Sequence, residues 1–359
     1  MTFPSAHDSD LIARRDGRAG RITLNRPQAL NALTYNQILT IEKTLDTWAN
    51  DGNIKLVLLD GAGDRAFCAG GDILAMYENR GDGGEFASQF WRDEYRLNAK
   101  ISRYCKPIVS VMDGIVMGGG IGLGAHASHR IVTEYSSLAM PETGIGLVPD
   151  VGGTWLLANA PGRLGEFLGL LGERMAAADA IYAGFADTFV RRTDLKPLVS
   201  ALTDSEGEAL SVTLAHYASA PPAATLAPRQ KDIDTFCSKP TLEEILGDLQ
   251  TSSEEWAQSG AQTASTRSPL SMKLTLAAIR AARRLGALED ALNLEFRLTT
   301  RLFMHGEFIE GIRALLVDRD KTPRWQPPHM HDISKDMVTS FLAPLTSQPE
   351  LDLTASDLR

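Results

Sequence analysis

The chain has 359 residues, 43% apolar and 23% charged, which is enough apolar material for a sizeable core and too much for a disordered chain. No run of about 18 apolar residues is free of charge, so a helical membrane span is excluded. Lysine and arginine number 36 against 45 acids, a net charge of −9; this opposes nonspecific binding to nucleic acid or an anionic membrane but leaves room for a local basic pocket.

Length alone is compatible with two domains or one large α/β domain. Cys68, Cys105 and Cys237 are far apart and odd in number, so neither a disulfide framework nor a zinc module is expected. The opening MTFPSAHDSDLIARRDG has early acids and no apolar stretch. It does not read as a secretory signal or transit peptide, and a reducing cytoplasm is the expected location.

In chain order, GRITLN (20–25) reads as a strand and RPQALNAL (26–33) as a loop, because Pro27 breaks pairing. Thr34 and Gln37 have capping-box spacing, and Ile38, Ile41, Leu45 and Trp48 recur at helical spacing. IKLVLLD (54–60) and KPIVSVMDG (106–114) read as buried strands. GGGIGLGAHAS (118–128) is a glycine-rich turn entering a helix, and RIVTEYSSLAMPE (130–142) two short strands or a hairpin. TGIGLVPDVGG (143–153) is a loop, followed by a helical stretch interrupted at Pro161–Gly162. This alternation predicts an α/β fold. From about 195 the sequence turns to Ala, Leu, Arg and Glu at helical spacing, and the proline-containing last 30 residues or so read as a loosely packed tail.

Several chemistries are weak on these residues. Gly61, Gly63 and Ala66, and again Gly120, Gly122 and Ala125, mimic a dinucleotide fingerprint, but the first set runs into FCAGGD and the second lies in mid-chain. His126 and His129 would share a helix face but lack a third ligand nearby in sequence. There is no G-x-S-x-G elbow. Cys68, with no activating partner evident, reads as a small buried thiol.

Two glycine turns carry more when taken together. AFCAGGD (66–72) and VMGGGIGLG (116–124) each follow a strand and would present bare backbone N–H groups. Two such groups from adjacent strand ends form an oxyanion hole; the plain alternative is two tight turns. Glu142 and Asp150 lie in the next loop and suit acid–base or nucleophilic work. For Asp150, just before Gly152, Gly153 and a helix, capping is the alternative.

Taken in order, LNRPQALNAL, GAGDRAFCAGGDI and VMGGGIGLG resemble the crotonase superfamily, also called the enoyl-CoA hydratase/isomerase family, over about residues 10–190. Within it, FWRDEYRLN, MDGIVMGGGIGL, AMPETGIGLVPDVGG and EFRLTTRLFMHGEFIEGIRALLVDRDKTPRW are similar to the 3-hydroxyisobutyryl-CoA hydrolase branch, over about 10–328 with a diverged stretch near 200–265. The resemblance implies a crotonase-like spiral of β-β-α repeats with a helical C-terminal region. It divides the chain into an acyl-CoA-binding core at 10–200, a helical region at 201–330 and a tail at 331–359.

It further implies an oxyanion hole from the backbone N–H groups of Ala69 and Gly119. A typical hydratase has two catalytic glutamates; one matches Glu142, the other falls on Gly122, which has no side chain to use. Asp150 stands where hydratases usually carry glycine. Hydrolase-type members resemble the arrangement of Glu94, Gly119, Glu142 and Asp150, with Glu94 at the substrate's hydroxyl end. A surface acid between Arg92 and Arg96 is the plain alternative for Glu94. Gly70, Gly71, Asp72, Gly118 and Arg26 are the remaining substrate contacts implied, with Arg26 and Lys55 as candidates for the CoA phosphates.

The implied activity is hydrolysis of 3-hydroxyisobutyryl-CoA to the hydroxy acid and CoA, as in valine breakdown. No metal or cofactor is implied, since CoA belongs to the substrate. A short-chain 3-hydroxyacyl-CoA is the expected partner, with no nucleic acid or membrane and a possible homo-oligomer. A hydratase or isomerase and a non-catalytic acyl-CoA-binding protein are the rivals.

Overall fold

The computed structural model describes residues 10–204, 210–346 and 348–354. β1 (Leu11–Asp16) and β2 (Ala19–Leu24) form an antiparallel pair. They lead to α1 (Tyr35–Ala49), where the Thr34 side chain accepts from the Gln37 N–H and the Gln37 side chain accepts from the Thr34 N–H, the reciprocal cap expected. Ile38, Ile41, Leu45 and Trp48 form its buried face.

The chain then repeats one pattern. β3 (Leu56–Gly61) and β4 (Ala66–Cys68) precede α2 (Ile73–Glu78) and α3 (Glu85–Ser102). β5 (Ile108–Met112) and β6 (Ile115–Met117) precede α4 (Gly119–Gly124). β7 (His129–Val132) and β8 (Ser137–Ala139) precede the turn Glu142–Ile145, α5 (Gly153–Asn159) and α6 (Leu164–Leu171). Each repeat gives one strand to each of two sheets. With β9 (Thr188–Phe189), the larger sheet runs β1-β2-β3-β5-β7-β9, the smaller β4-β6-β8. Among the described residues, every strand-to-strand pairing after the first is parallel. Parallel neighbours need crossovers, and successive crossovers in one sense make the spiral of β-β-α units.

Of the two alternatives for residues 130–142, the two short strands are found and not the hairpin, because β7 pairs with β5 and β9 whereas β8 pairs with β6. One local expectation changes. His126 and His129 share no helix face: α4 stops at Gly124, His126 lies in the following turn and His129 begins β7.

β3 shows why its sequence is apolar throughout. Val57 and Leu59 enter the main core, while Leu56 and Leu58 meet Leu198, Leu202 and Leu214 of the helices Arg192–Asp204 and Leu210–Tyr217. The main apolar cluster itself runs from Leu11 to Leu353 and takes in the helices Pro269–Ala282, Leu288–His305 and Glu307–Ile312.

The loosely packed tail is corrected. Helix Lys335–Leu342 packs on Pro269–Ala282 and Leu288–His305. Arg301 donates to the Phe341 and Ala343 carbonyls at 2.8 and 2.7 Å, and Asn293 exchanges two hydrogen bonds with the Leu353 backbone. The prolines shape this segment without freeing it, because arginine side chains satisfy its carbonyls. Residues 355–359 lie outside the described residues.

Candidate functional site

The site begins with backbone. The loop at 30–33 is laced to the turn at 69–72: Ala69 N–H donates to the Leu30 carbonyl at 3.0 Å, Leu33 N–H to Gly70 at 2.8 Å and Asp72 N–H to Leu33 at 2.8 Å. Gly70 has φ +121° and Gly118 has φ +46°, conformations costly for a residue with a Cβ. The lacing corrects one expectation. The Ala69 N–H is already used inside the fold and is not available to a ligand. The Gly71 and Gly119 N–H groups, on the wall of the same pocket, have no acceptor among the described residues. They are close: a Cβ on Gly119 would sit 3.3 Å from the Gly71 nitrogen and 2.6 Å from Glu94 Oε1.

Facing them are three carboxylates from three elements. Glu94 comes from α3, Glu142 opens the turn after β8, and Asp150 ends the loop before α5. They are 3%, 4% and 5% exposed, which rules out the surface-acid reading of Glu94. The pocket is small, about 100 Å³. Trp91, Phe90, Met76, Ile145, Leu147 and Phe308 supply its apolar walls. Glu142 Oε1 lies 3.3 Å from where a side chain at Gly118 would start. Tyr95 donates its hydroxyl to Asp150 Oδ2 at 2.8 Å, whereas Glu94 Oε1 and Glu142 Oε2 have no partner among the described residues.

Burial governs the protonation of these acids. It pushes Asp150 up to about 7 against the opposing Tyr95 hydrogen bond. Glu142 and Glu94 are held well above the usual carboxylate range by burial and then by the charge of Asp150. Arg267, which donates to the Leu171 carbonyl at 2.8 Å, pulls Glu142 the other way. Neighbouring acids in one dry pocket do not all ionise, so at neutral pH the site holds both a proton donor and a proton acceptor.

Asp150 is not the cap of α5. Glu295, from helix Leu288–His305, accepts from the Gly152 N–H at 2.7 Å and the Thr154 N–H at 2.8 Å. The Asp150 side chain is thereby left to the pocket. His126 is no ligand either: a ring nitrogen bonds the Val151 carbonyl at 2.7 Å. At Gly122 a Cβ would fall 2.7 Å from both Asn98 Nδ2 and Val151 Cβ, so the space for a side chain there is already filled.

Other expected residues lie off the pocket wall. Arg26 is taken up by Asp72 at 3.1 Å, Asp10 at 3.6 Å and the Ala32 carbonyl at 2.8 Å. Arg26 and Asp72 therefore tie the laced loops together. Lys55 is exposed just before β3. Cys68 is fully buried, its thiol pushed up to about 12 by that burial. A larger cleft, about 260 Å³, opens elsewhere beside Arg21, Asp60, Asp113 and Lys196, but Asp60 and Asp113 there are paired with Arg21 and Arg192.

Sequence reasoning missed the N–H of Gly71, the Tyr95 hydrogen bond to Asp150, the place of Asn98 beside Gly122, and the cap from Glu295. Signals existed for Tyr95 and Asn98, which follow Trp91 at one helical turn and two on the buried face of α3.

The chain matches the enoyl-CoA hydratase/isomerase family model over residues 19–342. It is 39% identical to the mitochondrial 3-hydroxyisobutyryl-CoA hydrolase of Danio rerio, covering 94% of this chain and 90% of that one. It is 37% identical to the mitochondrial 3-hydroxyisobutyryl-CoA hydrolase of Rattus norvegicus, covering 95% and 90%. Among solved structures, a carnitinyl-CoA dehydratase from Mycobacterium thermoresistibile is 42% identical with a TM-score of 0.91, covering 96% of this chain and 98% of that one. An enoyl-CoA hydratase from Rhodobacter sphaeroides is 44% identical with a TM-score of 0.88, covering 94% and 98%. The mitochondrial relatives overturn the cytoplasmic expectation: few cysteines indicate redox conditions, not a compartment. Fold, motif order and similarity along nearly the whole chain agree, and the chain belongs to the enoyl-CoA hydratase/isomerase family.

Proposed function

We propose that this protein is a thioester hydrolase for a short 3-hydroxyacyl-CoA, 3-hydroxyisobutyryl-CoA in the first instance. One observation carries the reading: two unused N–H groups, from Gly71 and Gly119, lie in the same small pocket as three buried carboxylates. Acyl transfer needs both parts. The thioester oxygen accepts from the two N–H groups, which stabilise the negative charge that develops on it; each such donor is worth about 3 kcal/mol in a water-excluded site. A carboxylate supplies or activates the nucleophile.

Two routes use Glu142. In one it takes a proton from water, and the hydroxide bonds to the carbonyl carbon. In the other its oxygen bonds that carbon directly, giving an anhydride that water then opens. In both, the carbon–sulfur bond breaks with its electron pair going to sulfur, and CoA leaves as the thiol after gaining a proton. Asp150, near neutrality, holds the water or the substrate hydroxyl and exchanges its proton within the site. Glu94 contacts the hydroxyl end of the acyl group. A small cavity of about 100 Å³ with mostly apolar walls suits a short acyl group.

The similarity to solved structures of a hydratase and a dehydratase gives the rival reading weight. Position 122 opposes it. Gly122 offers no second acid, and Asn98 and Val151 leave no room for one. Purified protein given 3-hydroxyisobutyryl-CoA should release free thiol and should leave crotonyl-CoA unhydrated. Hydration without thiol release would replace this reading by the hydratase one. Binding of both esters without turnover would make the protein a carrier.

A further inference from the structure

The Tyr95 hydroxyl is the one side-chain donor found on the Asp150 carboxylate among the described residues, at 2.8 Å, and it is fully buried. Its other neighbour is Thr299 Oγ1 at 3.4 Å. The Tyr95 ring stands edge-on to Phe296, with centroids 6.4 Å apart. Thr299 and Phe296 belong to helix Leu288–His305, which also supplies Glu295 to the Gly152 and Thr154 N–H groups. The residue before Gly152, Val151, has φ +54°, a conformation rare for a β-branched residue. The turn that carries Asp150 is therefore held from behind by one helix of the C-terminal region, and its carboxylate is held from the side by a phenol of α3 that packs against that helix.

We infer that Tyr95, seated on Thr299 and Phe296, is a positioning residue that fixes both the orientation and the ionisation of Asp150. This rests on the proposed hydrolase reading, in which Asp150 works in the pocket. The physical argument is directional. A phenol donating to a carboxylate favours the charged form. The other ionisable groups that face the site from the surrounding elements are the acids Glu94 on α3, Glu142 on its turn and Glu295 on the C-terminal helix, His126, engaged with Val151, and one cation, Arg267, whose charge acts on Glu142. Burial opposes ionisation of Asp150 and the Tyr95 hydroxyl works against that effect; burial of His126 favours its neutral form.

The test is the pH dependence of thiol release from 3-hydroxyisobutyryl-CoA by the full-length chain, wild type beside Tyr95→Phe and Asp150→Asn. Loss of the phenol raises the Asp150 pKa whichever of its forms is the working one. The limb of the profile that Asp150 sets should move to higher pH by about one unit, a tenfold change in rate along the slope, with Tyr95→Phe regaining wild-type rates on the alkaline side if the carboxylate is the working form. Should Tyr95→Phe not fold, Thr299→Val reads the same quantity, with a smaller upward shift expected. A profile lowered uniformly with its limbs in place would overturn the inference, as would a limb that moves down or a rate that does not change. Asp150→Asn separates the two ideas: if it keeps the wild-type rate and limb, the hydrolase reading of Asp150 fails first.

Discussion

Glu295 accepts hydrogen bonds from Gly152 at 2.7 Å and Thr154 at 2.8 Å across more than 140 residues of chain. One buried carboxylate from the C-terminal region thus serves as the N-cap of a helix in the core, in place of the nearer Asp150. Removing it orphans two buried N–H groups. Glu295→Ala should destabilise the protein by about 2–4 kcal/mol, read as a lower urea midpoint with an unchanged slope. A midpoint within error of wild type would show that water replaces the cap without cost.

The protonation of the buried acids gives a pH prediction with a definite sign. Asp150 is raised from 3.8 to about 7 and Glu295 from 4.5 to about 8, both by burial. Between the unfolded and folded values the folded chain keeps protons that the unfolded chain has lost. Their contribution to stability is fully present below about pH 4 and is lost as pH rises to about 7–8. Asp150→Asn removes one such group. It should therefore be more stable than wild type at pH 7.5, by about 1–3 kcal/mol, and should show a flatter dependence of stability on pH between 4 and 7. Urea titrations at several pH values check this; a variant less stable than wild type throughout that range would contradict it.

Gly119→Ala tests the backbone donors without deleting an acid. Its Cβ would sit 2.6 Å from Glu94 Oε1 and 3.3 Å from the Gly71 nitrogen, in the approach to both N–H groups. The expected result is a folded protein whose kcat for thiol release falls by about 10²–10³, as for loss of one oxyanion donor. A kcat unchanged from wild type would remove Gly71 and Gly119 from the mechanism.

Gly122→Glu asks whether the missing acid can be restored by sequence alone. The new Cβ would press on Asn98 Nδ2 and Val151 Cβ at 2.7 Å, an overpacking cost of about 1–3 kcal/mol. The variant should be less stable and should still not hydrate crotonyl-CoA. Hydration appearing in this variant would show that the space around Asn98 opens freely.

What could be read from the sequence was local or lay on short motifs. The Thr34–Gln37 cap, the apolar face of α1 and the strands at 19–24, 56–61 and 108–112 each rest on residues within a few positions of one another. The loops carrying Glu142 and Asp150 were recognisable for the same reason. The errors came from long-range pairing. No property of AFCAGGD reveals that Leu30 consumes the Ala69 N–H and leaves that of Gly71. For residues 130–142 the pattern left two separate strands and a hairpin both open, and only the pairing of each strand with a different sheet decides for the former. The tail has no strong period, yet Arg301, Arg92 and Asn293 anchor its carbonyls from other helices. Glu295 lay inside a string noted for its likeness, with nothing to connect it to Gly152.

The most direct measurement of the central claim is thiol release from 3-hydroxyisobutyryl-CoA by wild type, Glu142→Gln and Asp150→Asn, at equal concentrations of folded protein. The account predicts steady release by wild type and a fall in kcat of at least about 10²-fold in both variants, the scale of a lost acid–base or nucleophilic group. Undiminished release by either variant would contradict the account, because the chemistry would then not run through the carboxylate it removes.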